Sequence, residues 1–94
     1  QHVDYAPVIA YQWIASDKPF YEIAGFQLLA RLFANGQEPN ERGINEFLDQ
    51  AAVALQGDNM GIKHAAANAV MRFCDFGEDF EKIAQGALKG IFEI

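Results

Sequence analysis

Apolar side chains recur at the helical period along most of this chain. Ile44, Phe47, Leu48, Ala51, Ala52 and Leu55 fall at i, i+3, i+4, i+7, i+8 and i+11, the spacing of one α-helix face. Ile62, Ala65, Ala66, Ala69, Val70 and Phe73 repeat the template, and Phe80, Ile83, Ala84, Ala87, Leu88 and Ile91 repeat it again. None of these stretches shows the period of two that a half-buried strand requires. The template therefore predicts helices, with Phe47, Leu48, Ala66, Ala69, Val70, Ile83 and Leu88 in the core.

The three templates start at 44, 62 and 80, 18 residues apart each time. One step back, Phe26, Leu29, Ala30, Phe33 and Ala34 fit as well; a further step reaches Val8 and Tyr11 before Gln12 breaks the match. A helix-plus-turn unit of this length, taken in pairs, gives a repeat of about 36 residues, near the range of helical solenoids. The fold class expected is all-α, with HEAT/ARM-like antiparallel helix pairs forming a short α-α superhelix over a single domain, 1–94. An ordinary bundle of similar helices is the alternative.

Turn signals divide the pattern. Ser16 and Asp17 offer an N-cap ahead of Pro19 in a first helical turn. Asn35-Gly36 is a helix stop, Pro39-Asn40 precedes the next start, and Gly57-Asp58-Asn59 separates two templates. Asp75 to Glu78 has capping-box spacing. The resulting helices lie near 5–15, 18–34, 41–55, 59–74 and 78–92. The 18–34 helix, apolar nearly all round, is expected to be central and most buried.

Composition narrows the chemistry. The 94 residues are 51% hydrophobic and 21% charged, with seven basic against thirteen acidic residues and a net charge of -6. An acidic chain is a poor general binder of phosphate backbones, although a local basic stripe can sit on an acidic body. A single cysteine, Cys74, leaves no intrachain disulfide and no multi-thiolate zinc site. Ser16 is the only serine, and no phosphate-binding loop, dinucleotide turn or His-Glu-x-x-His motif is present. No cofactor is expected. His2, His64 and scattered carboxylates do not form an i, i+4 ligand pair, so no metal is expected either. No membrane-length apolar run and no signal pattern occur, so the expected location is cytoplasmic, away from membranes. The abrupt Gln1-His2 opening suggests a piece of a longer protein.

One polar stripe stands out. His64, Asn68 and Arg72 are four residues apart, opposite the apolar face of their helix and flanked by Lys63 and Met71. It is a candidate contact for phosphates or for a partner's carboxylates, or else a solvated helix face. Lys82, Gln85 and Lys89 form a weaker second stripe. Trp13, near Tyr11, is a candidate stacking platform, or else a packing residue. Cys74 and His64 sit ten residues apart, about 15 Å along a helix, too far for a nucleophile-base pair.

From Trp13 to about Phe73 the chain resembles the DNA alkylation repair family built from HEAT-like repeats. The resemblance is carried by Trp13-Ile14-Ala15-Ser16, by Ala24-Gly25-Phe26-Gln27-Leu28-Leu29-Ala30, and by Ile62-Lys63-His64-Ala65-Ala66-Ala67-Asn68-Ala69. It implies an α-α superhelix that holds DNA in a concave groove, and, for the glycosylases of the family, excision of alkylated bases with a carboxylate stabilising the developing sugar cation. Lys63, His64, Asn68, Arg72 and Trp13 would then be DNA- or partner-binding. Asn68 stands where the family carries Trp, Met71 where it carries Arg, and the family's carboxylate segment has no clear match; Asp4 cannot be equated with it. Three readings follow as expectations: a protein-binding scaffold module, part of a DNA glycosylase, or a structural fragment with no ligand of its own.

Overall fold

The computed structural model describes residues 6–92; His2, Asp4 and the first residue of the expected 5–15 helix lie outside them. Five helices occur within that span, α1 (Ala6–Ile14), α2 (Pro19–Ala34), α3 (Glu41–Gln56), α4 (Met60–Cys74) and α5 (Glu78–Ala87), and no strand is found among the described residues.

Local chemistry explains most boundaries. Asn40 Oδ1 accepts a hydrogen bond from the Gly43 amide at 2.9 Å, and Asn59 Oδ1 accepts one from the Ile62 amide at 3.0 Å. Both satisfy an amide that the first helical turn leaves unpaired. At the end of α2, Gly36 takes a φ of 86°; its amide donates to Phe33 O and the Gln37 amide to Leu32 O, the two bonds of a Schellman stop. Pro19 opens α2 as its fixed φ favours.

Three boundary expectations are corrected. Ser16 does not cap α2: its hydroxyl donates to Trp13 O at 2.7 Å and accepts from the Lys18 amide at 3.3 Å, so it closes the α1–α2 turn. The N-cap position falls on Lys18, with no side-chain bond. No capping box opens α5 either. The N-cap there is Gly77, at φ 151°, while Asp75 ends α4 with its amide and pairs with Arg72 through its carboxylate. Finally, α5 stops at Ala87 rather than 92. Gly86 and Gly90 weaken helix in this stretch, Gly90 adopts a φ of 80°, and the Ile91 and Phe92 amides both fold back onto Leu88 O.

The helices pack as two hairpins with one more helix across them. In the first, α1 and α2 run antiparallel, and Gly25 of α2 lies directly under the Ala10 carbonyl and Ile14 of α1. In the second, Phe47 near the start of α3 meets Phe73 near the end of α4, with ring centroids 5.4 Å apart. The hairpins join through α2 and α4, which run in the same direction. Ile23 sits against Gly61 at one end of that contact and Phe33 against Phe73 at the other. Helix α5 rests on α3 and α4.

The core is one cluster, with Phe26, Phe47, Phe73, Leu29, Leu88 and Val70 the largest side chains shut off from solvent. Within it Phe33, Phe47 and Phe73, with the half-buried Phe76 and Phe80 packed against them, make ring contacts at 5.1–5.9 Å in edge-to-face and tilted arrangements, the geometries ring quadrupoles favour. Of the expected core residues, Phe47, Leu48, Ala66, Ala69, Val70 and Leu88 are buried, but Ile83 is 44% exposed. Helix α5 presses inward through Ala84, Leu88 and Phe80, and no further helix among the described residues covers its other side. The expected centrality of the 18–34 helix is also corrected. Phe20 and Tyr21 project outward at the start of α2, while α4 touches α2, α3 and α5 and buries Ile62, Ala65, Ala66, Ala69, Val70 and Phe73. Its alanines let three neighbours approach closely.

Candidate functional site

The polar stripe of α4 forms as the spacing implies, but it is not a free cationic surface. His64 and Asn68 are exposed, and Lys63 is half-buried. Arg72 Nε lies 3.2 Å from Asp75 Oδ2, close enough for charge attraction though not aligned as a hydrogen bond. Its positive charge is thus balanced within its own helix end. Trp13 lies on α1 at the turn into α2, leaning on Tyr21 at 6.4 Å, with Lys18 Nζ 5.7 Å from the Tyr21 ring centroid. It does not join the α4 stripe. Lys82 and Gln85 are exposed on α5, and Lys89 is exposed just past its end. Among the described residues no three His, Cys, Asp or Glu side chains converge, and no helix is long and apolar enough to cross a membrane. The Cys74 thiol is held above its ordinary range by burial, then by Glu81 and Asp75, the reverse of what a thiolate nucleophile needs.

A cleft lies elsewhere on the surface. Where the first helices of the two hairpins face each other, α1 and α3 do not close. Tyr11 crosses the gap, its hydroxyl donating to the Gly43 carbonyl at 3.1 Å, and divides it into two compartments. One is an apolar recess of about 230 Å³ walled by Pro7, Tyr11, Leu29, Leu32, Phe33 and Pro39. The other is a trough of about 840 Å³, with Pro7, Val8, Gln12 and Ala15 on the α1 side and Arg42, Asn45, Glu46 and Asp49 on the α3 side.

The gap has a plain physical cause. Helix α1 buries only Ala10 and Ile14, and the Gly25 contact commits that face to α2. Helix α3 directs Phe47, Leu48, Ala51 and Leu55 into the core, leaving Arg42, Asn45, Glu46 and Asp49 toward α1. The α3 surface that faces α1 is polar and offers no apolar partner to Pro7, Val8 and Tyr11, so nothing draws the two helices together. Sequence reasoning overlooked Tyr11, Glu46 and Asp49. Their one signal was the template failing at Gln12, which the structure places in the trough.

Within the gap the Tyr11 hydroxyl is pushed up to about 12, chiefly by burial and then by the negative charge of Glu46. A raised pKa favours the neutral hydroxyl of the folded chain. Its contribution to stability is therefore complete below pH ~10, the unfolded value, and is lost as pH climbs through the folded value. Tyrosinate absorbance followed against pH should show one tyrosine ionising last, near 12. That component should disappear in Tyr11→Phe and move toward the ordinary value in Glu46→Gln.

With this geometry in hand, comparison with known proteins finds no match: no family model fits the chain, and no curated protein or solved structure is significantly similar to it.

Proposed function

We propose that this chain is a HEAT-like helical-repeat module that binds a segment of another protein. In this reading α1–α2 and α3–α4 are two successive repeats, stacked through the parallel pair α2 and α4, and α5 is the first helix of a third. The observation that carries the binding role is the open gap between α1 and α3. Stacked repeats ordinarily bury their neighbours' faces, whereas here a cleft with an apolar recess and a polar trough is left for something else to fill.

DNA binding, which the family resemblance implies, is weakened by two features. Arg72 is balanced by Asp75, and the chain as a whole carries a net charge of -6. The test is a salt titration of binding to alkylated and undamaged duplexes, run alongside a base-release assay. The expected result is weak binding with a slope no steeper than about -1.8, the value for two phosphate contacts, and no released base. Base release would establish the glycosylase reading instead, and tight duplex binding lost in Lys63→Ala/Arg72→Ala would overturn the protein-binding module.

A further inference from the structure

We infer that the α1–α3 cleft receives a cationic amphipathic helix from a partner protein, its apolar face against the recess and its Lys or Arg side chains on Glu46 and Asp49. The inference rests on the reading of this chain as a protein-binding module and names the chemistry of the partner.

Charge is the first argument. Glu46 and Asp49 are three residues apart on α3, so they share a face, and both are exposed along the trough. The one ion pair among the described residues is Arg72–Asp75, so neither carboxylate has a cation of its own. Among the described residues Glu38 adds a third carboxylate at the rim of the recess, against Arg42 as the single cation lining the cleft. The field is felt inside the cleft, since Glu46 contributes to holding the Tyr11 hydroxyl neutral.

Shape is the second argument. A strand-like guest has no sheet edge to pair with, because the described residues contain no strand and the backbone groups of α1 and α3 are engaged within their own helices. Recognition falls on side chains, which an incoming helix presents at i, i+3, i+4 and i+7. From Asn40 to Asp49 the α3 wall runs about 14 Å, the rise of nine helical residues. The recess of about 230 Å³ exceeds the roughly 150 Å³ apolar cavity known to accept a benzene ring, so it has room for a leucine or phenylalanine side chain. Beside it, Pro7, Val8 and the Tyr11 ring supply a hydrophobic wall.

The experiment uses three labelled synthetic peptides with the same leucines at i, i+3, i+4 and i+7. The remaining positions are lysine in one, glutamine in the second and glutamate in the third. Fluorescence anisotropy should show saturable binding of the lysine peptide, about tenfold or more tighter than the glutamine peptide, an energy difference of about 1.4 kcal/mol, and weakened by salt. Glu46→Gln/Asp49→Asn should remove that preference, while Asp79→Asn/Glu81→Gln on α5 should keep it. All four positions are exposed, and circular dichroism verifies that the variants fold. Amide shifts on binding should centre on Gln12, Gly43 and Asn45. Equal or tighter binding of the glutamine or glutamate peptide at those amides would overturn the cationic partner but leave the module reading intact. An equal loss in the α5 variant would overturn the site, showing attraction to the acidic chain at large. Failure of all three peptides to bind would overturn the inference, and the module reading would then stand or fall on the duplex titration.

Discussion

Phe73→Ala should lower the stability of this chain by about 3–5 kcal/mol, the range for removing a buried aromatic ring. Phe73 is fully buried, and its ring lies 5.9 Å from Phe33, 5.4 Å from Phe47 and 5.2 Å from Phe80. It is therefore the point at which α2, α3, α4 and α5 meet. Truncation would leave a cavity among rings held by other helices, and three aromatic contacts, each worth about 0.5–1.5 kcal/mol beyond area burial, would go with it. A 94-residue domain commonly has a total stability of about 5–14 kcal/mol, so the loss is a large share of what holds the chain folded. Urea denaturation followed by circular dichroism measures the loss. A change under about 1 kcal/mol, less than one buried methylene contributes with its cavity, would show that the rings do not hold the helices together.

Gly25→Ala should also destabilise, by about 1–3 kcal/mol, against the direction helix propensity alone would give. Replacing an interior helix glycine by alanine ordinarily gains about 0.5–1 kcal/mol. At Gly25, however, a Cβ would come within 2.7 Å of the Ala10 carbonyl oxygen and 2.7 Å of Ile14 Cγ1. The oxygen belongs to helix backbone, so relief requires α1 to move off α2. Gly86 is the internal control: it lies within α5 with nothing near the position a Cβ would take, and Gly86→Ala should stabilise by about 0.4–1 kcal/mol. Opposite signs in the two variants, read from urea midpoints, would establish close approach rather than propensity as the reason for glycine at 25. Because α1 forms one wall of the cleft, Gly25→Ala should also disturb peptide binding, which Gly86→Ala should not.

The helices themselves were legible because their information is local. The 3.6-residue periodicity of Ile44 to Leu55 and of Ile62 to Phe73, the Asn40 and Asn59 starts and the Asn35-Gly36 stop act within one or two turns of chain. Each is satisfied by its neighbours in sequence, so the pattern can be read without knowing the fold. Most of the core followed for the same reason, since a helix face with a continuous apolar stripe has to be covered by something. Ile83 was misjudged because the template tells which side of α5 is apolar but not how far its neighbours wrap round it.

What only the tertiary structure decided is where helices meet and where they do not. The parallel run of α2 and α4 depends on Gly61 admitting Ile23 at one end and on the phenylalanine cluster closing the other. These residues are far apart in sequence, and no local signal links them. The cleft is less legible still, because it is set by a contact that fails to form. Tyr11, Glu46 and Asp49 look like ordinary helix residues until α1 commits Ala10 and Ile14 to α2 and α3 turns its apolar face toward Phe73. The sequence by itself determined five helical segments, their approximate ends and most of the residues they bury, since periodicity and capping are short-range. The arrangement of those helices, and the opening left between α1 and α3, came from competition among long-range contacts for a limited apolar surface.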